Sequence, residues 1–383
     1  MYTLNLWCKD LALHFRYLRH IDLACPILNQ SPPQGWIAIP SEILSLIEFH
    51  DLPGAHSALP CPWHPLRELR EFHRVLKLMR GYEIVHVTLN ERPLHWGLVA
   101  WLERRLGQRK FLVVVESTSS WRLTKTGLLA KLRRVLVERF AKLAISNAHA
   151  VVFTTEDYRR SLGPSKGQEC VIPASWIDDE CLVKSPRGID MFDFSKRSFR
   201  VGYFSHLLHA KGIDIFLDAI DHLLRKGIAI EAMVYGAGKE QTMVIERSAR
   251  SGGAIVPGGV LPYGPMFYKA VRSCDVVAVP NRLDEQPRIV FDAFSQAVPV
   301  VGAWTPGIAS IVEHDTNGLL FPTGNAQALA TALEHLMGSP TQLARLSQGG
   351  LEMARKHTHA SIHQEREQFL RESLGDCRSW VRN

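Results

Sequence analysis

In DEQPRIVFDAFSQAVPVVGA, residues 284–303, Asp284 and Asp292 stand eight positions apart, with a proline, an arginine and an apolar run between them. An ionised carboxylate only accepts hydrogen bonds and takes two hydroxyl donors at once, so the pair suits a ligand rich in hydroxyls. Two acids at this spacing are, by themselves, equally an ordinary pair of surface charges. Glu285 competes with Asp284 for the same role, one residue out of register. Pro287 fixes the turn and Arg288 starts the helix that follows; Asp292 near its beginning suits the helix dipole. Lys211 in HAKG precedes a second helix, as a functional cation or as a plain surface lysine. Gly236 and Gly238 in YGAGK follow an apolar run, where glycine lets the backbone approach a ligand or merely turns the chain. Glu116 ends the run FLVVVE; a carboxylate there orients a hydroxyl, takes its proton, or caps a helix.

These residues need elements to hold them. EIVHV (83–87), KFLVVVE (110–116), AVVFT (150–154) and CVI (170–172) read as strands with helical patterns between them. After a polar, turn-rich linker at 183–198 the alternation resumes with RVGYFS (200–205), AIEAMVYG (229–236), AIVPGG (254–259), DVVAVP (275–280) and VPVVGA (298–303). Continuous Val/Ile runs alternating with helices predict parallel sheets buried on both faces. The fold class is therefore α/β, with two doubly wound Rossmann-like domains at 1–185 and 199–355 facing across a cleft. Ligands in such sheets bind at the carboxyl ends of the strands. The first 60 residues are the least readable: QSPPQGW (30–36) is a loop, and PSEILSLIE opens like a capped helix.

A chain of 383 residues, 46% apolar and 22% charged, fits an ordinary globular protein of two domains. The seven cysteines are scattered and form no CxxC pair, which excludes a disulfide frame or cysteine zinc site. The N-terminus has no signal-peptide pattern and no stretch reaches membrane-span length, so a cytoplasmic protein is expected. The net charge is +7, and residues 104–142 carry many lysines and arginines against only Glu116 and Glu138. Such a segment faces nucleic acid, anionic lipid or a phosphorylated substrate, or is only a solvated face. Within it, Leu128, Leu132, Val135, Leu136, Phe140 and Leu143 recur at helical spacing, with Lys131, Arg133, Arg134, Arg139 and Lys142 elsewhere. The 122–143 segment therefore either makes a peripheral contact with an anionic membrane, on the inner face of the plasma membrane, or packs on its own sheet. It lacks the interleaved aromatics that stack bases, so no nucleic-acid partner is expected.

Four segments then fall in a telling order: FSHLLHAKGIDIFLDAI (204–220), VYGAGKE (234–240), DVVAVPNRLDEQPRIVFDAFSQAVPVVGA (275–303) and PGIASIVEHDTNGLLFPTGNAQALATALEHL (306–336). From about Val201 to Leu336 the chain resembles the C-terminal domain of the retaining GT-B glycosyltransferases of the family-4 (glycosyl transferases group 1) type. A fainter likeness runs through GYEIVHVTLN, AVVFTTEDYRRSL and VIPASWIDD. The resemblance implies a metal-independent hexosyltransferase with no cofactor, using a nucleotide-diphosphate sugar as donor. It implies that Asp292 holds the ribose, Asp284 or Glu285 the transferred sugar, and the amides around Gln286, before Pro287 and Arg288, the sugar oxygens. Lys211 matches the family's lysine at the diphosphate, while His206 replaces its arginine. Gly236, Gly238 and Gly307 would bring main chain near the phosphates, and Glu116 stands where members commonly have a histidine. The acceptor implied is a saccharide carried on a lipid, in polysaccharide or cell-surface glycan synthesis. The C-terminal helix, about 360–375, would cross back to the first domain. The departures keep two alternatives open: a catalytically silent sugar-nucleotide binder, and a nucleotide-sugar epimerase.

Overall fold

A computed structural model describes residues 2–18, 20–25, 27, 31, 36–51, 65–89, 93–107, 109–118 and 127–375. The first 51 residues hold two small sheets. In one, β1 (Tyr2–Leu4) pairs antiparallel with β3 (Trp36–Ala38); in the other, β2 (Ile21–Cys25) pairs parallel with β4 (Ile47–Asp51). The helix expected in PSEILSLIE is one turn long, Ser41–Leu44, and gives way to β4, because Ile47–Asp51 finds a parallel partner in β2. Most of the loop expected at 30–36, together with Asn90 and Trp121, lies outside the described residues.

Next comes a four-stranded sheet in the order β5 (Ile84–Thr88), β6 (Lys110–Val115), β7 (Ala150–Phe153) and β8 (Gln168–Val171), parallel throughout. Alternate residues of a strand face opposite ways, and each face has its own core. Phe111, Val113, Val115, Val151 and Phe153 pack with the helices Pro65–Leu78, Pro93–Leu106 and Leu128–Asn147. Leu112, Val114 and Val152 pack instead with Ile362, Phe369, Leu370 and Leu374 of the last helix, His359–Leu374. The chain end thus supplies the second cover of the first sheet.

The second sheet is six-stranded and parallel, in the order β11 (Ile255–Gly259), β10 (Ile230–Tyr235), β9 (Phe199–Phe204), β12 (Val276–Val279), β13 (Val300–Ala303) and β14 (Gly318–Phe321). Its apolar runs are buried throughout β12 and β13, as strands covered on both faces must be. The strand order reverses direction between β9 and β12, and a crevice opens there beyond the strands' carboxyl ends.

Segment 183–198, expected as a polar, turn-rich linker, packs on the second domain. Phe192 is part of the second domain's core, and Arg187 is buried, donating to the carbonyl oxygens of Cys274 (2.7 Å) and Arg272. An apolar ring and a guanidinium with main-chain acceptors outweigh the segment's polar composition. The helix Leu128–Asn147 packs on the first sheet through its second half only. Leu128, Leu132 and Val135 are 74%, 59% and 52% exposed, while its contacts to Pro93–Leu106 use the far half, around Phe140, Ala141 and Ala144.

Candidate active site in the interdomain cleft

Two loops make the crevice, one after β9 and one after β12. Gly212 ends the first in a left-handed conformation (φ 73°), and a Cβ there would lie 2.0 Å from the Pro280 carbonyl oxygen, so only glycine lets the loops meet. The Arg282 guanidinium forks onto both Asp214 oxygens (2.7 and 2.6 Å) and also donates to the His209 carbonyl (2.5 Å). A bidentate pair of this kind fixes direction as well as distance. The clamp delivers Lys211 into the cleft, where its ammonium forms an ion pair with Glu285. Burial pushes the Lys211 pKa down.

The loop after β12 rests on the short helical turn Pro306–Ala309. A Cβ on Gly307 would come within 1.9 Å of the Glu285 carbonyl oxygen, so this glycine seats the acidic loop and does not itself line the cleft. Gln286 bridges outward: its Oε1 accepts from the Ala174 amide (2.6 Å) and its Nε2 faces Ser310 Oγ at 3.5 Å. Asp284 turns the other way. Its Oδ2 accepts from the Thr118 hydroxyl and its carbonyl from Tyr158 Oη (2.9 Å), both from the first domain. Asp284 therefore ties the domains together, and the acid that enters the cleft beside Lys211 is Glu285. Glu285 thus lines the cleft, and Asp284 beside it keeps its other oxygen, Oδ1, buried with no hydrogen-bond partner.

Asp292, 1% exposed, sits on the helix Ile289–Ser295 and lines the same cleft. Tyr263 Oη donates to its Oδ1 (2.8 Å) and is itself supported by Tyr268 Oη (2.6 Å). Oδ2 is buried with no hydrogen-bond partner; its closest cation is Arg288 Nε at 3.6 Å. Desolvation dominates here and raises the Asp292 pKa to about 6. A buried carboxylate oxygen without a donor is costly unless a ligand supplies one.

The cleft occupies about 540 Å³. Val260, 69% exposed, forms an apolar wall with Leu261 and Phe267, near the stacked Phe204–Tyr235 pair (4.8 Å between rings). His206 and Pro287 line the cleft, and Arg288 stands at its rim over the Tyr263 ring (4.7 Å). Gly236 lines it too, whereas Gly238 does not; a Cβ on either would strike the main-chain oxygen of Ser205 or Leu207, so backbone packing explains both. Glu116, Ser117, Thr154 and Trp176 form the opposite wall. Sequence reasoning did not single out Thr118, Tyr263 and Val260, nor Tyr158 within AVVFTTEDYRRSL; only the places of Thr118, Tyr263 and Val260 after strands or in adjoining turns could have pointed to them.

Comparison with known proteins fits this geometry. Residues 198–339, which form the second domain, match the family described as glycosyl transferases group 1. A D-inositol 3-phosphate glycosyltransferase of Xylanimonas cellulosilytica is 29% identical over 150 residues, 38% of this chain and 36% of that protein. The chain thus spans little more than a third of that relative. Among solved structures, sucrose-phosphate synthase from Thermosynechococcus elongatus superposes with a TM-score of 0.70 at 19% identity, over 96% of this chain and 91% of that one. Anabaena HepE in complex with UDP gives 0.67 at 17% identity, over 96% of each. Both likenesses establish the fold, the GT-B arrangement of two Rossmann-like domains.

Proposed function

We propose that this chain is a glycosyltransferase that takes a sugar from a nucleoside-diphosphate sugar bound on the second domain and passes it to an acceptor approaching from the first. The observation that carries this reading is the meeting of Lys211, Glu285 and the donorless Asp292 Oδ2 in one cleft at the sheet's switch point. Ribose hydroxyls donate to Asp292 Oδ2 while Tyr263 holds the other oxygen in place. Lys211 turns from Glu285 to the diphosphate, and the freed Glu285 accepts from hydroxyls of the sugar. The base lies against Val260 and Leu261. HepE, the structural neighbour, was solved with UDP and with UDP-glucose, which supports a uridine donor for this cleft as well.

Charge developing on the leaving diphosphate is met by Lys211, with His206 beside it, and we propose that no divalent ion is needed there. Glu116 orients the acceptor hydroxyl from the opposite wall. The reaction proceeds with retention: the acceptor oxygen attacks on the face the diphosphate leaves, and a diphosphate oxygen accepts its proton.

The acceptor is a saccharide carried on a lipid at an anionic membrane, in the making of a polysaccharide or surface glycan. Exposed Leu128, Leu132, Val135 and Leu136 support this, with Lys131, Arg134 and Arg139 exposed on the same helix. Exposed apolar side chains flanked by cations match an anionic lipid surface. No described helix is long and apolar enough to cross a membrane. The test is release of nucleoside diphosphate from UDP-, GDP-, ADP- and dTDP-sugars with a bacterial glycolipid extract, followed by NMR of the product's anomeric proton. Acceptor-dependent release with the donor's configuration kept supports the reading; an epimerised donor, or no release with any donor, contradicts it.

A further inference from the structure

Behind the cleft, the helix near the chain's start and its last described helix converge on a group the reaction does not use. His359 and His363 lie one turn apart at the start of the last helix, both buried. Each presents Nε2 to the same oxygen, Oδ1 of Asp10 on the helix Asn5–His14, at 3.2 and 3.0 Å. Ligands at about 2.0–2.1 Å around a tetrahedral zinc ion stand roughly 3.3 Å from one another; the two separations to Asp10 match that spacing, and all three ligand atoms lie within 4.8 Å of one another. We propose that Asp10, His359 and His363 bind a divalent transition-metal ion of the zinc type, fastening the last helix to the first domain. Two imidazoles and one carboxylate make a donor set suited to zinc and its first-row neighbours, not to magnesium or calcium.

The surroundings are built to hold such a set. Tyr17 Oη lies 3.2 Å from His363 Nδ1, on the ring edge away from Asp10, where an outer partner orients a ligating imidazole. Thr358 caps the helix by accepting from the Ser361 amide, and the His359 amide donates to the Ile177 carbonyl (2.8 Å). Lys9, next to Asp10, spends its ammonium on Asp178 (2.5 Å) and the Trp176 carbonyl (3.0 Å), away from the cluster. His14 is not a ligand: its Nδ1 is 2.9 Å from the Asp10 carbonyl, and its Nε2 faces Arg366 at 3.4 Å. Arg366, three residues after His363 on the same helix, is a cation near the cluster with its guanidinium against His14. The ring of Trp176 packs on His359 (5.2 Å) and also lines the cleft. An ion here would therefore hold the cleft's first-domain wall as well as the chain end, and it lies apart from the diphosphate site.

Metal-stripped full-length protein should be titrated with Co²⁺ and, separately, Zn²⁺ at pH 7.5. The proposal expects one equivalent of Co²⁺ to give visible ligand-field bands without thiolate charge transfer, Zn²⁺ to displace it, and Zn²⁺ to raise the melting temperature. Asp10→Asn and His363→Gln should each lose the bands and the thermal shift. Absence of bands in the wild type would overturn the proposal. So would thiolate charge-transfer bands, or binding undiminished in both variants, since these place the ion on cysteines or on the more open His20, Asp22 and Glu48 cluster. The wild-type spectrum decides even where a variant fails to fold.

Discussion

The two domains reach the cleft by different means. The second domain holds its site on loops whose backbones interlock: Gly212 against Pro280, Gly307 against Glu285, and the Arg282–Asp214 fork between them. The first domain contributes strand ends, Glu116 and Thr154, and a turn around Trp176, tied across by Thr118 to Asp284 and by the Ala174 amide to Gln286. A site fixed by main-chain contact demands particular residues at particular spacings, so it leaves a pattern in the sequence. A site fixed by single hydrogen bonds between surfaces does not. The difference also divides the chemistry: the interlocked half suits a constant ligand, a nucleoside diphosphate, and the tied half suits an acceptor whose identity varies.

The sharpest way to break this division is Asp292→Ala, which should weaken donor binding about a hundredfold or more, because a buried carboxylate loses two charge-assisted hydrogen bonds to ribose. Calorimetric titration of a nucleoside diphosphate checks it. Lys211→Ala should lower kcat by about 10²- to 10³-fold, the range for removing one group that stabilises developing charge, with a smaller change in KM. Glu285→Gln and Asp284→Asn separate the two acids. The first should reduce turnover with the tight binding of the bare diphosphate kept. The second should leave diphosphate binding alone but lower stability by about 1–2 kcal/mol through the Thr118 contact, read from the melting temperature. Equal effects from both acids would erase the assignment of one to the cleft and the other to the interface.

Asp292 also gives a pH signature. Its pKa in the fold is raised to about 6, so the stability it contributes is present in full below its unfolded value and is lost as pH rises through about 6. Ionisation at pH 7.5 thus costs the donor-free fold roughly 2–3 kcal/mol, given 1.36 kcal/mol per unit. Asp292→Asn should melt higher than wild type at pH 7.5 and close the gap by about pH 4, as scanning calorimetry would show. Donor affinity of the wild type should weaken as pH falls through 6, since a protonated carboxyl no longer accepts from both ribose hydroxyls. The smallest effect is expected on the first domain's exposed helix: Leu132→Asp should reduce binding to anionic vesicles with the melting temperature nearly unchanged, because this side chain is 59% exposed.

The same contrast explains what could be read in advance. In the second domain the strand runs, the helix of Asp292 and the loop of Lys211 are all legible, because burial on both faces forces continuous apolar strands and close loops force glycine. The choice between Asp284 and Glu285 was not legible, since spacing records register but not which way a turn throws each side chain. In the first domain the four parallel strands were readable, while the first 51 residues were not: β2 and β4 pair across a long separation and carry mixed polarity. Leu128, Leu132 and Val135 had the periodicity of a buried face and are exposed, for periodicity shows that a face is apolar and not what covers it. Asp10, His359 and His363 escaped notice because an aspartate near the first residue and a His-x3-His near the last become one cluster only when the chain end crosses back.

The central claim is that the second domain binds a nucleoside diphosphate through Asp292 and Lys211. Isothermal titration of UDP, GDP, ADP and dTDP into the wild type, Asp292→Asn and Lys211→Ala tests it most directly. The account predicts saturable binding of at least one nucleotide, lost in Asp292→Asn and weakened in Lys211→Ala, with both variants folded. Binding undiminished in Asp292→Asn, or no binding of any nucleotide to folded wild type, would contradict it.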